Sequence, residues 1–175
     1  QVKTMDTRSG EQKIFEYTKL ILAQGGRPIK PVLPGSDYDH VFTLWTLEDM
    51  DKISHHLEEQ KPKNAVVVGG GFIGLEMVEA LVKRGLKVNV VEMMPHVMAI
   101  MEAEIAGFVE NEMLSYGVGI YTGAGVTEIM RRSVKLDNGK LLDADMVLLS
   151  IGVRPTLQLA KEAGLEIGEA GGLLV

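Results

Sequence analysis

Cysteine is absent from the 175-residue sequence, and this absence excludes several kinds of chemistry. Without a thiol, these residues cannot form a disulfide framework, a thiol nucleophile or a cysteine-ligated metal centre. The four histidines are His40, His55, His56 and His96, and none stands in an HExxH motif or a comparable ligand spacing. We therefore expect four solvated surface histidines and no metal site.

Excess positive charge and long apolar runs are also lacking. The net charge is −6 and the pI is about 5.3, so nothing is basic enough to follow a phosphate backbone and nucleic acid is an unexpected partner. No apolar run approaches the roughly 18–20 residues that a membrane helix needs, and the first residues show no signal peptide. The composition, with 46% hydrophobic and 24% charged residues, predicts a soluble globular protein with one ordinary domain, and we expect a cytoplasmic location.

The first third of the sequence reads as strands, a boundary and a helix. Strands are expected at residues 2–5 and 13–17, and residues 20–23 are a short run that we expect to be buried. A glycine- and proline-rich stretch then breaks the pattern. Thr46 is the expected N-cap of a helix that ends before Pro62, with Leu47, Met50, Ile53 and Leu57 as its apolar face.

Strands and helices alternate from Asn64 onward, which predicts a parallel sheet. The expected order is strand 65–68, helix 72–84, strand 87–91, helix 102–116 and strand 118–121. Ile105, Phe108, Val109 and Met113 recur at helical spacing and mark the expected buried face of the second helix.

A different rhythm follows the third strand of this series. Residues 126–130 and 134–136 flank polar turns, and the sequence DNG at 137–139 is a strong hairpin signal, so we expect a small antiparallel meander. A buried strand at 146–150, a short helix at 157–163 and an unfinished strand at 173–175 complete the chain. Together these features predict an α/β fold, a Rossmann-like three-layer domain with a parallel sheet and a small meander.

A glycine motif opens the first helix of the alternating region. Residues 69–74 read GGGFIG, directly after a buried strand. In such a motif Gly69 permits the tight turn, Gly71 lets the backbone approach a pyrophosphate, and Gly74 lets the helix pack against the sheet. The helix then offers free N–H groups to phosphates. This context predicts a dinucleotide site, against the alternative of a turn without a ligand.

An acidic residue completes the fingerprint. Glu92 ends the second strand, 18 residues after Gly74, close to the roughly 20 expected. A carboxylate there can accept hydrogen bonds from both hydroxyls of the adenosine ribose, and it would repel a 2′-phosphate. The residues that follow, Met93 to Met98, supply no Arg or Lys, so NADH is favoured over NADPH.

Two residues near the start of the helix have an open interpretation. Glu76 is either a charge that favours the helix N-terminus or a carboxylate that faces a cofactor or a domain interface. Phe72 is either part of the core or a movable cover over the pocket. The residues alone decide neither.

Three segments in the same order resemble the FAD-dependent pyridine nucleotide-disulfide oxidoreductases. Residues 66–76 (VVVGGGFIGLE) resemble the NAD-binding motif of this family. Residues 17–28 (YTKLILAQGGRP), which run on to LPG at 33–35, are similar to the segment that leads out of its FAD domain, and residues 145–155 (DMVLLSIGVRP) to the segment that leads back in. Residues 91–98 (VEMMPHVM) most resemble the branch of CoA-disulfide reductases, NADH oxidases and persulfide reductases.

The resemblance implies a domain organisation and partners. Residues 1–38 would be an incomplete flank of a FAD-binding domain, residues 39–152 the NAD(H)-binding domain, and residues 153–175 the incomplete return into the FAD domain. The intact parent would bind NAD(H) and FAD, contain a redox cysteine and a dimerisation domain outside this chain, and form a homodimer. The chain would then be a fragment of that parent, without catalytic residues of its own.

The resemblance also implies roles for individual residues. The pyrophosphate would lie on the residues of the glycine motif, Gly69, Gly70, Gly71, Ile73 and Gly74. Glu92 would bind the adenosine ribose, Val126 would lie near the adenine, and Gly152 near the nicotinamide. Phe72 would be the aromatic residue that covers the flavin, and Glu76 would lie near the flavin–nicotinamide junction. One departure stands out, because the family usually has Ala-Thr-Gly where this chain has Gln24 in the middle position. The role that threonine has at this position in the family is therefore lost here.

The hypothesis for the parent is an NADH-dependent flavoprotein reductase that passes hydride to FAD and reduces a disulfide, a persulfide or oxygen. This chain alone should bind NAD(H) and catalyse nothing. Two alternatives stay open: a regulatory NAD-sensing Rossmann module, and a methyltransferase that uses S-adenosylmethionine. A sensor has no reason to carry the two flanking segments, and a methyltransferase usually lacks the helix-packing glycine that Gly74 represents.

Overall fold

The computed structural model describes residues 1–174. In chain order the elements are β1 (Val2–Met5), β2 (Gln12–Phe15), β3 (Gly26–Pro28), β4 (Val41–Thr43), α1 (Leu47–Gln60), β5 (Asn64–Val68), α2 (Phe72–Lys83), β6 (Lys87–Val91), α3 (Ala103–Ser115), β7 (Gly119–Tyr121), β8 (Val126–Ile129), β9 (Ser133–Leu136), β10 (Leu141–Asp143), β11 (Met146–Leu149), β12 (Val153–Pro155) and α4 (Gln158–Glu162). They form two compact units, residues 26–154 and the two terminal segments 1–25 and 155–174.

The larger unit is built on a five-stranded parallel sheet with the strand order β4-β11-β5-β6-β7. Its central strands are runs of Val, Leu and Met that are buried on both faces, which is the usual composition of a parallel sheet. Val67 pairs with Val90 on one side and with Leu148 on the other. The prediction of an α/β fold around a parallel sheet is confirmed.

The three long helices cover one face of this sheet. Ile53 of α1, Met77 of α2 and Met113 of α3 belong to the same buried cluster as Val67 and Val90. α1 begins where the sequence predicted, because Thr46 and Asp49 form a capping box: each side chain accepts a hydrogen bond from the other residue's backbone N–H. The capping box holds the start of α1 in place beside the sheet.

The opposite face is covered by the predicted meander. β8, β9 and β10 form a three-stranded antiparallel sheet, and their apolar side chains pack with Val66, Val91 and Leu149. The β9–β10 turn is the predicted hairpin, with Gly139 at a φ of +82°, a conformation that favours glycine. Helices, parallel sheet and meander make the three layers.

The smaller unit contains short antiparallel pairings. β1 and β2 form a hairpin in which Val2 lies opposite Phe15, and an isolated bridge joins Ile167 to Leu173. Residues 20–23, which were expected to be buried, form no strand, and Ile21 is 90% exposed. Among residues 1–174 no strand pairs with this segment; Leu20 and Ile21 are exposed, while Leu22 is half-buried. The last residue of the expected strand at 173–175 lies outside the described residues.

The predicted apolar faces of two helices are partly wrong. Leu47 of α1 and Phe108 of α3 are 84% and 73% exposed, and Ile105 is also exposed. The spacing was helical, and the predicted Val109 and Met113 do pack in the cluster on the sheet, whereas Ala106, which was not predicted, is also buried. Helical periodicity identifies an apolar face without saying how much of it the neighbouring elements cover.

Membrane insertion through a helix finds no support in residues 1–174. The longest helix, α1, has 14 residues, and none of the helices in this range combines the length and the apolar composition that a span requires.

Candidate dinucleotide site

A cleft opens where the carboxyl ends of β5, β6 and β11 meet, at the edge of the sheet where ligands bind in open α/β folds. Its volume of about 640 Å³ is in the range of small-molecule sites. Most of its lining is apolar. The residues are Pro28, Pro31, Leu33, Leu44, Val68, Gly69, Gly71, Phe72, Ile73, Val91, Glu92, Met93, Met94, Ala124, Val126, Leu149, Ser150, Ile151, Gly152 and Val153.

Close packing against β11 explains two of the glycines between β5 and α2. Gly69 has a φ of +106°, and a Cβ on it would overlap the carbonyl group of Ser150, with the carbonyl carbon 2.7 Å away. A Cβ on Gly74 would overlap the carbonyl oxygen of Gly69 and lie 2.6 Å from Ser150 Oγ. These positions therefore need glycine for packing, whether or not a ligand is bound.

Gly71 differs, because a Cβ there would meet nothing within 4 Å. Its φ of −82° is open to any residue, so neither packing nor backbone strain demands glycine. Gly71 is the N-cap of α2, and no side chain caps this end. The first N–H groups of a helix have no partner within it, and they carry partial positive charge. An uncapped helix start that faces open space is suited to bind an anion.

Glu92 stands beside this helix start, immediately after β6. Its carboxylate accepts hydrogen bonds from the backbone N–H of Gly70 at 2.7 Å and of Met94 at 2.8 Å. These two bonds fix the side chain in a half-buried position at the rim of the cleft. A carboxylate offers about four acceptor positions, so acceptors remain for the hydroxyl groups of a ligand.

The loop between β7 and β8 forms the wall next to Glu92. Gly123 N–H donates to the Met94 carbonyl at 2.9 Å, and Ala124 N–H donates to the Glu92 carbonyl at 3.1 Å. Glu92 N–H in turn donates to the Tyr121 carbonyl at 2.9 Å. Backbone hydrogen bonds therefore hold the segment at 92–94 and the loop at 121–125 together.

The structure brings most of the predicted site residues together. Those that line the cleft are Gly69, Gly71, Phe72, Ile73, Glu92, Val126 and Gly152. Gly70 and Gly74 are buried behind it, and Val97 Cγ1 would lie 3.0 Å from a Cβ on Gly70. Glu76 is exposed on α2 and is not among the lining residues.

Ser150, which contacts the glycine turn through its hydroxyl group, was not predicted from the sequence as a site residue. Its Oγ lies 3.0 Å from the Gly69 carbonyl and 3.3 Å from the Val68 carbonyl, and it can donate to either. A serine that ends an otherwise apolar strand was the available signal. Only the pairing of β11 with β5 shows that this serine meets the glycine turn.

The expectation of four solvated histidines is wrong for three of them. His40 is half-buried and its Nε2 lies 3.2 Å from the Met130 carbonyl, while His96 Nδ1 lies 2.8 Å from the Val97 carbonyl. His56 packs edge-on against Phe42, and burial lowers its pKa. His40 also stacks on the Tyr38 ring, and of the four histidines only His55 is exposed.

Asp145 lies immediately before β11, at the end of the parallel strands opposite the cleft. Its Oδ2 accepts hydrogen bonds from the backbone N–H groups of Lys63 and Asn64 and from the Asn64 side-chain amide, at 3.0–3.1 Å. Burial would raise its pKa, but these three bonds and the nearby Arg132 guanidinium hold the pKa below its usual range. The carboxylate thus joins β11 to the start of β5.

Within residues 1–174, no three or more His, Asp or Glu side chains are grouped as a metal site.

A parallel sheet with a glycine turn, an uncapped helix start and a carboxylate after the next strand defines the class of dinucleotide-binding α/β proteins. The whole sequence, residues 1–175, matches the family described as "Pyridine nucleotide-disulphide oxidoreductase". The chain belongs to this family, as its three motifs indicated.

Named relatives share the sequence and the fold. The NADH oxidase of Methanocaldococcus jannaschii is 38% identical over 97% of this chain and 38% of its own length. The crystal structure of reduced CoADR-RHD from Bacillus anthracis superposes with a TM-score of 0.92, at 38% identity over 97% of this chain and 31% of its own. A NAD-dependent persulfide reductase from A. fulgidus superposes with a TM-score of 0.89, at 36% identity over 97% and 34%. The chain thus spans about a third of the length of these proteins.

Proposed function

We propose that the cleft between β5, β6 and β11 binds NAD(H). The observation that carries this proposal is the pair formed by Gly71 and Glu92: an uncapped helix start with open space above it, and a carboxylate held at its rim. A dinucleotide needs both features, an amide cradle for its diphosphate and an acceptor for its ribose. Gly71 is evidence for a ligand in particular, since packing gives no reason for glycine at this position.

The residues divide the work of binding. The N–H groups at the start of α2 would hold the diphosphate, and Glu92 would accept hydrogen bonds from the ribose hydroxyls of the adenosine half. Met94, Ala124 and Val126 would contact the adenine, because they line the cleft immediately beside Glu92. The nicotinamide half would extend towards Gly152. These roles leave Glu76 without a direct contact in the cleft.

Glu92 would also select NADH over NADPH. Two unit negative charges about 4 Å apart near a protein surface repel by about 4 kcal/mol, before salt screening reduces the effect. A 2′-phosphate would add such a charge next to Glu92. Lys140 lies over the neighbouring Tyr121 ring, with its Nζ 4.4 Å from the ring centroid, and so is engaged elsewhere. We expect a preference for NADH of at least about tenfold.

For the whole protein we propose an NADH-dependent flavoprotein oxidoreductase that acts on a disulfide, a persulfide or oxygen. Family membership and the names of the relatives support this proposal. The NAD(H) domain would be residues 39–152, flanked by parts of a FAD domain at 1–38 and 153–175, and the parent would be a homodimer. The described residues contain one glycine turn of this type, which the proposal assigns to NAD(H), and Gln24 replaces the usual threonine. They do not make a FAD site by themselves.

Calorimetric titration with NADH, NADPH and S-adenosylmethionine tests the proposal. The 175-residue chain should bind NADH at least tenfold more tightly than NADPH and should not bind S-adenosylmethionine. Glu92→Gln should weaken NADH binding and narrow the gap to NADPH, whereas Glu104→Ala, at an exposed acidic residue of α3, should change neither. Binding of neither dinucleotide, or equal binding of both, would contradict the proposed site.

The lack of catalysis by the isolated chain is tested separately. NADH absorbance at 340 nm should not decay when the chain is mixed with NADH, air and a disulfide in the absence of FAD. A protein-dependent decay under these conditions would contradict the assignment of the redox groups to another part of the parent.

A further inference from the structure

The turn between β9 and β10 contacts the loop at 121–125, which forms the wall of the cleft next to Glu92. Asp137 Oδ2 accepts a hydrogen bond from the Gly125 N–H at 2.9 Å, and the Asp137 N–H donates to the Gly125 carbonyl at 2.8 Å. Three residues further along the same turn, Lys140 lies over the ring of Tyr121. One turn of the meander therefore contacts both ends of the loop at 121–125.

The inner side of this loop is the wall of the cleft. Ala124 and Val126, on either side of Gly125, both line it, and Ala124 N–H is bonded to the Glu92 carbonyl. A Cβ on Gly125 would lie 3.9 Å from Met93 Cγ and 3.2 Å from Asp137 Oδ2, so Gly125 lies between the cleft rim and the turn. The position of the wall thus depends on bonds from both sides.

The two sides are not equally strong. The inner side is held by backbone hydrogen bonds to residues 92–94, which come immediately after β6 of the parallel sheet in the chain. The outer side has one side-chain acceptor, Asp137, and a carboxylate accepts a stronger hydrogen bond than a neutral group does. Glycines at 123 and 125 flank Ala124, so the loop has wide backbone freedom if this acceptor is lost.

We propose that Asp137 is a positioning residue for the adenosine half of the dinucleotide. By holding Gly125, its carboxylate keeps Ala124 and Val126 at the distance from Glu92 that an adenosine needs, so the wall is formed before the ligand arrives. Asp137 itself is exposed on the outer side of the loop and is not among the residues that line the cleft. The proposal rests on the function proposed above, since it assumes that the adenosine half binds beside Glu92.

Three variants separate this role from a general effect on folding. Asp137→Ala removes the acceptor, Asp137→Asn keeps an amide oxygen in its place, and Asp143→Ala removes an exposed carboxylate of the same meander that lies at the other end of β10. Their affinities for NADH and ADP-ribose are measured by calorimetry at 25 °C, well below the melting transition of each variant, so that unfolding contributes nothing.

The expected pattern follows from the loss of one charge-assisted hydrogen bond. Asp137→Ala should raise the Kd of both ligands by about threefold to tenfold, and by the same factor, since both contain the adenosine half. Asp137→Asn should stay within about threefold of the unmodified chain and bind more tightly than Asp137→Ala. Asp143→Ala should bind like the unmodified chain.

Each contrary result has a distinct meaning. If the unmodified chain binds neither NADH nor ADP-ribose, the proposed function and this inference both fail. If it binds both and Asp137→Ala binds equally well, only the positioning role is refuted. The role is also refuted if Asp137→Asn is as weak as Asp137→Ala, or if Asp143→Ala loses as much affinity.

Discussion

Alanine at Gly71 should weaken ligand binding, whereas alanine at Gly74 should lower the stability of the fold, although the two glycines are only three residues apart. At Gly71 the added methyl group enters open space at a φ of −82°, so folding is little affected. Loss of glycine freedom in the unfolded chain stabilises by about 0.4–1 kcal/mol. A poorer N-cap costs a similar amount. The net change in unfolding free energy should therefore be near zero.

The cost of alanine at Gly71 should appear in binding. The methyl group occupies the space above the start of α2, where the proposal places the diphosphate. Ligand and methyl group cannot share this space, so NADH must shift away from the free N–H groups. Loss of even one or two charge-assisted hydrogen bonds, each about 1.5–3 kcal/mol, predicts a Kd at least tenfold higher.

At Gly74 the same change acts on the fold. Its methyl group would overlap the Gly69 carbonyl oxygen and press on Ser150, both of which belong to packed backbone elements. Overpacking typically costs about 1–3 kcal/mol, of which the better helix propensity of alanine returns up to about 1 kcal/mol. A net cost of about 1–2 kcal/mol, in the middle of this range, should lower the melting temperature of a chain of this size by about 2–8 °C.

Thermal denaturation and NADH titration of both variants check this pair. Gly71→Ala should keep its melting temperature and lose affinity, whereas Gly74→Ala should lose melting temperature. Unchanged affinity in Gly71→Ala would refute the placement of the diphosphate, because the structure offers no other reason for glycine there. An unchanged melting temperature in Gly74→Ala would refute the packing argument.

Two further predictions concern stability away from the cleft. The folded-state pKa of Asp145 is lowered, so its carboxylate stabilises the fold at neutral pH, and this contribution should disappear as the pH falls from about 4 through the folded-state pKa. Urea denaturation between pH 7 and pH 2.5 should therefore show that the unmodified chain has a higher unfolding free energy than Asp145→Asn at neutral pH and that this difference disappears at low pH. A difference in unfolding free energy that does not change with pH would contradict the stabilising role of the Asp145 carboxylate. Ile53 is fully buried between α1 and the sheet, so Ile53→Ala should lower the unfolding free energy by about 2–5 kcal/mol, whereas Leu47→Ala, on the exposed side of α1, should change it by about 0.5 kcal/mol or less.

Much of the candidate site follows from short stretches of sequence. The glycine turn, the helix that it opens and the strand that ends before Glu92 were predicted within one or two residues of their observed bounds. Each depends on local physics: a valine run suits a strand buried on both faces, and a turn with positive φ needs glycine. The same holds for Thr46 as the N-cap of α1 and for the β9–β10 hairpin.

Only the tertiary structure decided what these segments meet. Gly69 needs glycine because β11, 81 residues later in the chain, places the carbonyl of Ser150 against it, and Gly125 is held by a turn that packs from the second face of the sheet. Likewise, the exposure of Phe108 depends on how α3 lies on the sheet. Periodicity records the kind of element and its apolar side, whereas strand order and the contacts that form the site arise from packing between residues far apart in sequence. The sequence by itself therefore determined the elements and the motif, and the packing of the sheet decided which residues support the site.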